Sequence, residues 1–240
     1  RIINETENEP YFHILGDDDC IEENFVFEFY KIIGQNSNVH LIRYSGVLIN
    51  DQDQKTNRIS TYPERENFDE LAEKVFAGKI RSSLSENIFS REMYTKHGFE
   101  KYPLAWCSDT KLWMDIAYEH PVFSIRDSVV HTRKGATNIS GDKQLNDIKN
   151  LGSLLFRLDS INNYKLNDKA KKNLFRELNY FIAKNKFIDE KILFKFLKTK
   201  NLGFFNKLKY FPFLIYKWVK YRKLYIENKI NVLTAYYFRK

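Results

Sequence analysis

Cysteine is nearly missing from this chain, and its scarcity excludes two common ways of building a small protein. The 240 residues hold two, Cys20 and Cys107, without CxxC spacing. Neither a disulfide framework nor a thiolate zinc site is indicated, and a reduced, cytoplasmic setting fits. No uninterrupted apolar run of about 18 residues occurs, so no transmembrane span is expected. Nucleic-acid-binding signatures are also lacking. Apolar residues, by contrast, are plentiful: 43% of the chain is hydrophobic and 16% aromatic, enough for a sizeable core and too much for a disordered chain.

Charge is divided along the sequence. Residues 1–150 carry 18 Lys/Arg against 25 Asp/Glu (net −7), whereas residues 151–240 carry 21 against 6 (net +15). The change falls near Leu151-Gly152-Ser153, after the polar stretch RKGATNISGDKQLND. It suggests an α/β domain over 1–150 followed by a basic, aromatic-rich helical extension over 151–240.

Periodicity in the first part predicts a strand over 11–15, a helix over 22–33, a strand over 39–48 and a polar loop over 50–57. A helix over 67–76 follows, with Phe68, Leu71, Ala72 and Val75 on one face and Gly78 beyond its end. Ile88 to Tyr94 reads as a strand turning into a helix that stops at Gly98. Thr110 to Tyr118 reads as a helix, and VFSIRDSVVHTR as a strand.

Where the first strand ends stand Asp17, Asp18 and Asp19. Three adjacent carboxylates repel one another unless a cation shares them, and the carboxyl ends of strands are where open α/β sheets keep ligands. The plainer alternative is a solvated turn in which Asp19 caps the following helix. Asp51 and Asp53 form a second DxD pattern, read as part of a solvated loop.

The segment YFHILGDDDCIEENFVFEFY resembles the metal-binding segment of family 2 glycosyltransferases of the GT-A fold. A second match, SLSENIFSREMYTKHGFEKYPLAWCSDTKLWMDIA, looks like that family's acceptor-side segment, with Ser108 where the family usually has Glu and Asp109 as the acidic residue retained. The resemblance implies a Rossmann-like catalytic domain whose roughly 90 preceding residues of βαβ units, holding the nucleotide base, are missing from a chain that opens on Arg1. It implies a nucleotide-diphosphate sugar donor, a surface-glycan or lipid-linked saccharide acceptor, and an inverting displacement. Asp109 would take the acceptor proton. Mn²⁺ or Mg²⁺ would be held chiefly by Asp19, with Asp17 also a ligand and His131 a nitrogen ligand. Asp17 and Asp18 would face the donor, Arg133 its diphosphate, and the Trp106 ring a sugar face. Two of these roles compete with structural ones: Trp106 as a core residue, and Asp109 as a helix cap whose pKa the helix dipole would lower.

The last third shows helical patterns at Leu174, Phe175, Leu178, Phe181 and Ile182, then at Ile188, Ile192, Leu193, Phe196 and Leu197. From Pro212 onward, aromatic residues with Lys217, Lys220 and Lys223 suggest a helix lying on an anionic membrane surface. A non-catalytic glycan-assembly partner is the alternative function. Nucleic acid is the weaker choice, because the acidic half would repel a polyanion.

Overall fold

Nine consecutive buried residues make the strand on which everything else is hung. The computed structural model describes residues 8–50, 52–80, 83–133, 139–185, 190–199, 210 and 212–220, and β3 (Leu41–Ile49) is buried along its whole length. A strand covered on both faces reads as a continuous apolar run, as LIRYSGVLI nearly does. Parallel to it lies β7 (Val122–Arg133). On its other side runs β6 (Asn87–Ser90), antiparallel. The sheet closes with β1 (Tyr11–His13) on β6 and β2 (Cys20–Ile21) on β7, giving the order β1-β6-β3-β7-β2. Two short additions complete it: β4 (Lys55–Ser60) on β3 and β5 (Arg65–Glu66) on β7. The result is a mixed α/β fold.

Helices cover both faces. Phe25 from α1 (Phe25–Gln35) joins Ile42, Tyr44, Ile88, Phe123, Ile125 and Val130 in one apolar cluster. The larger cluster packs Leu41, Phe89 and Val122 under α2 (Phe68–Phe76), α4 (Ser108–Glu119), α5 (Asn146–Asn163) and α6 (Asp168–Lys184). Helix α3 (Arg91–His97) ends at Gly98, which has φ 64°, and α7 (Glu190–Lys198) adds Ile192 and Phe196 to the same core. Helix α2 starts with the reciprocal Asn67–Glu70 capping box, worth about 1 kcal/mol.

Three expectations are corrected. Asp51 lies outside the described residues; the rest of the segment over 50–57 forms a turn and the start of a strand: Asn50 Oδ1 accepts from the amides of Gln52 and Gln54, and β4 pairs with β3. Local Asn chemistry made the turn, while its polar composition hid the strand. Asp19 does not cap the first helix, because β2 intervenes and the cap position is Asn24. Leu151-Gly152-Ser153 lie inside α5. A Cβ on Gly152 would stand 3.0 Å from the Trp106 carbonyl oxygen, so this glycine permits close packing rather than marking a boundary. Residues on both sides of position 150 belong to one cluster; the charge division is a property of the surface.

Beyond α7, residues 212–220 are helical. Lys217 is not on an exposed basic stripe. Its Nζ is buried and donates to the carbonyls of Ile182 at 2.6 Å, Ala183 at 2.9 Å and Asn185, closing the C-terminal end of α6 where partial negative charge collects. Burial pushes its pKa down. Phe213, Tyr216 and Val219 are the exposed apolar side chains of this helix, with Lys220 beside them; Lys223 and Ile188 lie outside the described residues. Among the described residues no helix is long and apolar enough to cross a membrane.

Candidate functional site

The aspartate turn is tied to the sheet by its third member. Asp19 Oδ2 accepts from Ser85 Oγ at 2.5 Å, Asp19 Oδ1 accepts from the Arg133 amide at 2.9 Å, and the Asp19 amide donates to the Gly16 carbonyl at 3.2 Å. Ser85 also receives the Gly16 amide at 2.9 Å. A Cβ at Gly16 would stand 2.9 Å from Asp19 Oδ2 and 3.4 Å from Asp18 Oδ1. The Asp19 carboxylate therefore sits close over the glycine, and a side chain there would require it to shift.

Arg133 ends β7 beside Ile49, the last residue of the parallel β3. Its guanidinium reaches three ways: Nε to the Asp18 carbonyl at 3.2 Å, Nη1 to the Asn50 carbonyl at 2.6 Å and Nη2 to Asp53 Oδ1 at 2.5 Å. The carboxylate of Asp53, first in line, raises the pKa of this arginine. Asp53, read from sequence as a bystander, thus stands in the same assembly as the aspartate turn. The carboxyl ends of two adjacent parallel strands, the β3–β4 turn and the three aspartates meet at one place.

His131 lies on β7 opposite Cys20 of β2, and the acid it approaches is Glu22. The His131 Nε2 lies 3.5 Å from Glu22 Oε1, and Glu22 Oε2 accepts the Val129 amide at 3.0 Å. Among the described residues no three His, Cys, Asp or Glu side chains form a group able to hold a metal ion. The donor set does not suit an all-protein cage. It does suit a hard divalent ion shared with phosphate oxygens, which is commonly held by one or two carboxylates with water completing the shell. Asp17 is exposed and Asp18 half-buried, so both are available to such an ion, while the two oxygens of Asp19 already accept protein donors.

Asp109 lies in the first turn of α4, behind a strained approach: Leu104, Ala105 and Cys107 have φ of 56°, 52° and 71°. Non-glycine residues in the left-handed region carry a cost that the surrounding structure must offset. The cap position is Cys107, and Asp109 is not the cap. Asp109 Oδ1 accepts from the Thr110 amide at 2.7 Å. Burial nevertheless pushes its carboxyl above the ordinary range, against the lowering by the Thr110 bonds. The sequence argument for a weakened, capping base is reversed: desolvation outweighs the helix terminus. No hydrogen bond or ion pair links Asp109 to the aspartate turn.

Trp106 is committed to α5. Its Nε1 donates to Ser153 Oγ at 3.1 Å, and Lys149 Nζ sits 5.3 Å from its ring centre.

Sequence reasoning missed Ser85. It sits in a serine-rich segment with no spacing signal, and only the fold brings it to Asp19. The chain matches no protein-family model and no curated protein.

Proposed function

We propose that this protein is a glycosyltransferase with a GT-A-like catalytic fold, which moves a sugar from a nucleotide-diphosphate donor to a saccharide acceptor. The observation that carries the reading is the convergence of the aspartate turn with the ends of parallel β3 and β7, a ligand position for open α/β sheets. Asp17 and Asp18 would hold Mn²⁺ or Mg²⁺ together with the donor diphosphate, and Asp19 would act as a positioning residue through Ser85 and the Arg133 amide. A divalent ion there supplies positive charge to the leaving diphosphate.

Arg133 braces the turn against Asn50 and Asp53 and adds a fixed positive field beside the phosphates. Asp109, its pKa raised by burial, takes the proton of the acceptor hydroxyl as that oxygen attacks the sugar. A raised pKa improves its basicity. The exposed Phe213, Tyr216 and Val219 beside Lys220 support peripheral attachment to an anionic membrane, with apolar contact contributing more than charge now that Lys217 is buried.

Incubation with a panel of nucleotide sugars and Mn²⁺, read by mass spectrometry, tests the reading. Release of nucleoside diphosphate with a sugar moved to water or a saccharide is expected; no release from any donor speaks against it.

A further inference from the structure

Three acceptors of unequal kind hold the Arg133 guanidinium between two turns. Two are backbone carbonyls, Asp18 on Nε at 3.2 Å and Asn50 on Nη1 at 2.6 Å, and they are fixed in place as part of the turns. The third is the Asp53 carboxylate on Nη2 at 2.5 Å. The Asp53 side chain is 74% exposed and that of Arg133 20%. An ion pair so open to water adds little to stability, because solvent screens it and either side chain can be released at small cost.

The β3–β4 turn does not depend on that pair. Asn50 Oδ1 accepts the Gln52 and Gln54 amides at 3.0 and 2.9 Å, and Asn50 Nδ2 donates to Gln54 Oε1 at 3.0 Å. In the backbone, the Asn50 amide donates to the Gln54 carbonyl and the Asp53 amide to the Asn50 carbonyl, both at 3.1 Å. Asp53 itself has φ 61°, a left-handed conformation that Asp and Asn adopt more readily than other residues with a side chain. Its carboxylate can therefore rotate away while the turn keeps its shape. The guanidinium would stay aimed, since Asp18 and Asn50 still hold it.

A carboxylate and a phosphate oxygen make the same charge-assisted bond to a guanidinium. The nitrogen that Asp53 engages belongs to a residue bonded directly to the aspartate turn, where the reading given above puts the donor diphosphate.

We propose that Asp53 is an internal competitor for that diphosphate, its carboxylate occupying the Arg133 nitrogen that a phosphate oxygen takes when the donor binds. The contact is autoinhibitory. It keeps weakly held anions off Arg133 and yields to a diphosphate whose charge is also drawn in by a divalent ion. The inference rests on the donor-site reading, and its test separates the two.

Inorganic pyrophosphate with Mn²⁺ is titrated by calorimetry into the full chain and into Asp53→Asn, and the parent complex is crystallised. Asn retains the volume and tolerates the left-handed backbone while losing the charge, so Tm should stay near that of the parent. Asp53→Asn should bind pyrophosphate tighter by about threefold or more, the scale set by an exposed ion pair. In the parent complex a phosphate oxygen should stand on Arg133 Nη2, with Asp53 turned to solvent. Equal or weaker binding by Asp53→Asn would overturn the proposal and leave the donor site standing. So would a complex in which Asp53 still holds Nη2, because any gain in affinity would then be relief of repulsion at a distance. Absence of pyrophosphate binding by both proteins would remove the donor-site reading and this inference with it.

Discussion

Aspartates stand in two regions of this molecule under opposite conditions. At the sheet end, Asp17 is exposed and Asp18 half-buried, and Asp19 is surrounded by donors from Ser85 and Arg133. At the start of α4, Asp109 is desolvated, and its pKa is raised. Carboxyl groups of one chemistry thus stand in different surroundings: the first set meets solvent or hydrogen-bond donors, while the second is desolvated and its carboxyl is held above the ordinary range. Residue type cannot show this difference, because burial and donors are set by the fold.

The largest effect should come from breaking the second environment. Asp109→Asn should lower sugar transfer by about 10² to 10⁴ without lowering Tm at neutral pH. The sign follows from the raised pKa: the folded state disfavours the ionised carboxylate above that pKa, and Asn removes the penalty while still accepting the Thr110 amide. Undiminished transfer would reduce Asp109 to a structural residue.

Glu86 sharpens the comparison, since burial there outweighs the hydrogen bonds from Tyr62 and Ser83 and the charge of Arg43. Its folded pKa of about 7 lies above the unfolded range near 4.3. Its contribution is therefore most favourable below about pH 4 and is lost as pH rises toward 7, by about 3 kcal/mol. Urea unfolding at pH 5 and pH 8 should show Glu86→Gln gaining on the parent chiefly at the higher pH. A gain independent of pH would mean the carboxyl is not desolvated in the fold.

A smaller change separates the members of the aspartate turn. Asp19→Asn weakens two hydrogen bonds that hold the turn, at about 1 kcal/mol each, and should lower Tm by several degrees. Asp18→Asn, whose carboxylate anchors nothing comparable, should leave Tm within a degree or two. Equal losses would remove the division between positioning and ligand roles.

Much of the scaffold was legible in the sequence, because period and punctuation there act locally. β7 has the expected bounds, α2 begins one residue after the expected Asn67 and ends at Phe76 as expected, and α3 stops at Gly98. What was not legible required distant residues to meet. Ser85 reaches Asp19 across 66 positions, and Arg133 reaches Asp53 across 80. Lys217 looked like one of three surface lysines until α6 presented its carbonyl end. Gly152 was read as punctuation because nothing in its neighbours reveals the Trp106 backbone against it. The glycosyltransferase reading rests on short motifs of this same local kind, joined by an assembly that only the fold supplies.

The most direct measurement is calorimetric titration of a nucleoside diphosphate, with and without Mn²⁺, into the parent, Asp18→Asn and Asp109→Asn. The account predicts Mn²⁺-dependent binding by the parent and by Asp109→Asn, and its loss in Asp18→Asn. Equal binding by Asp18→Asn and the parent, or binding indifferent to Mn²⁺ in all three, would contradict the assignment of the aspartate turn as the donor site.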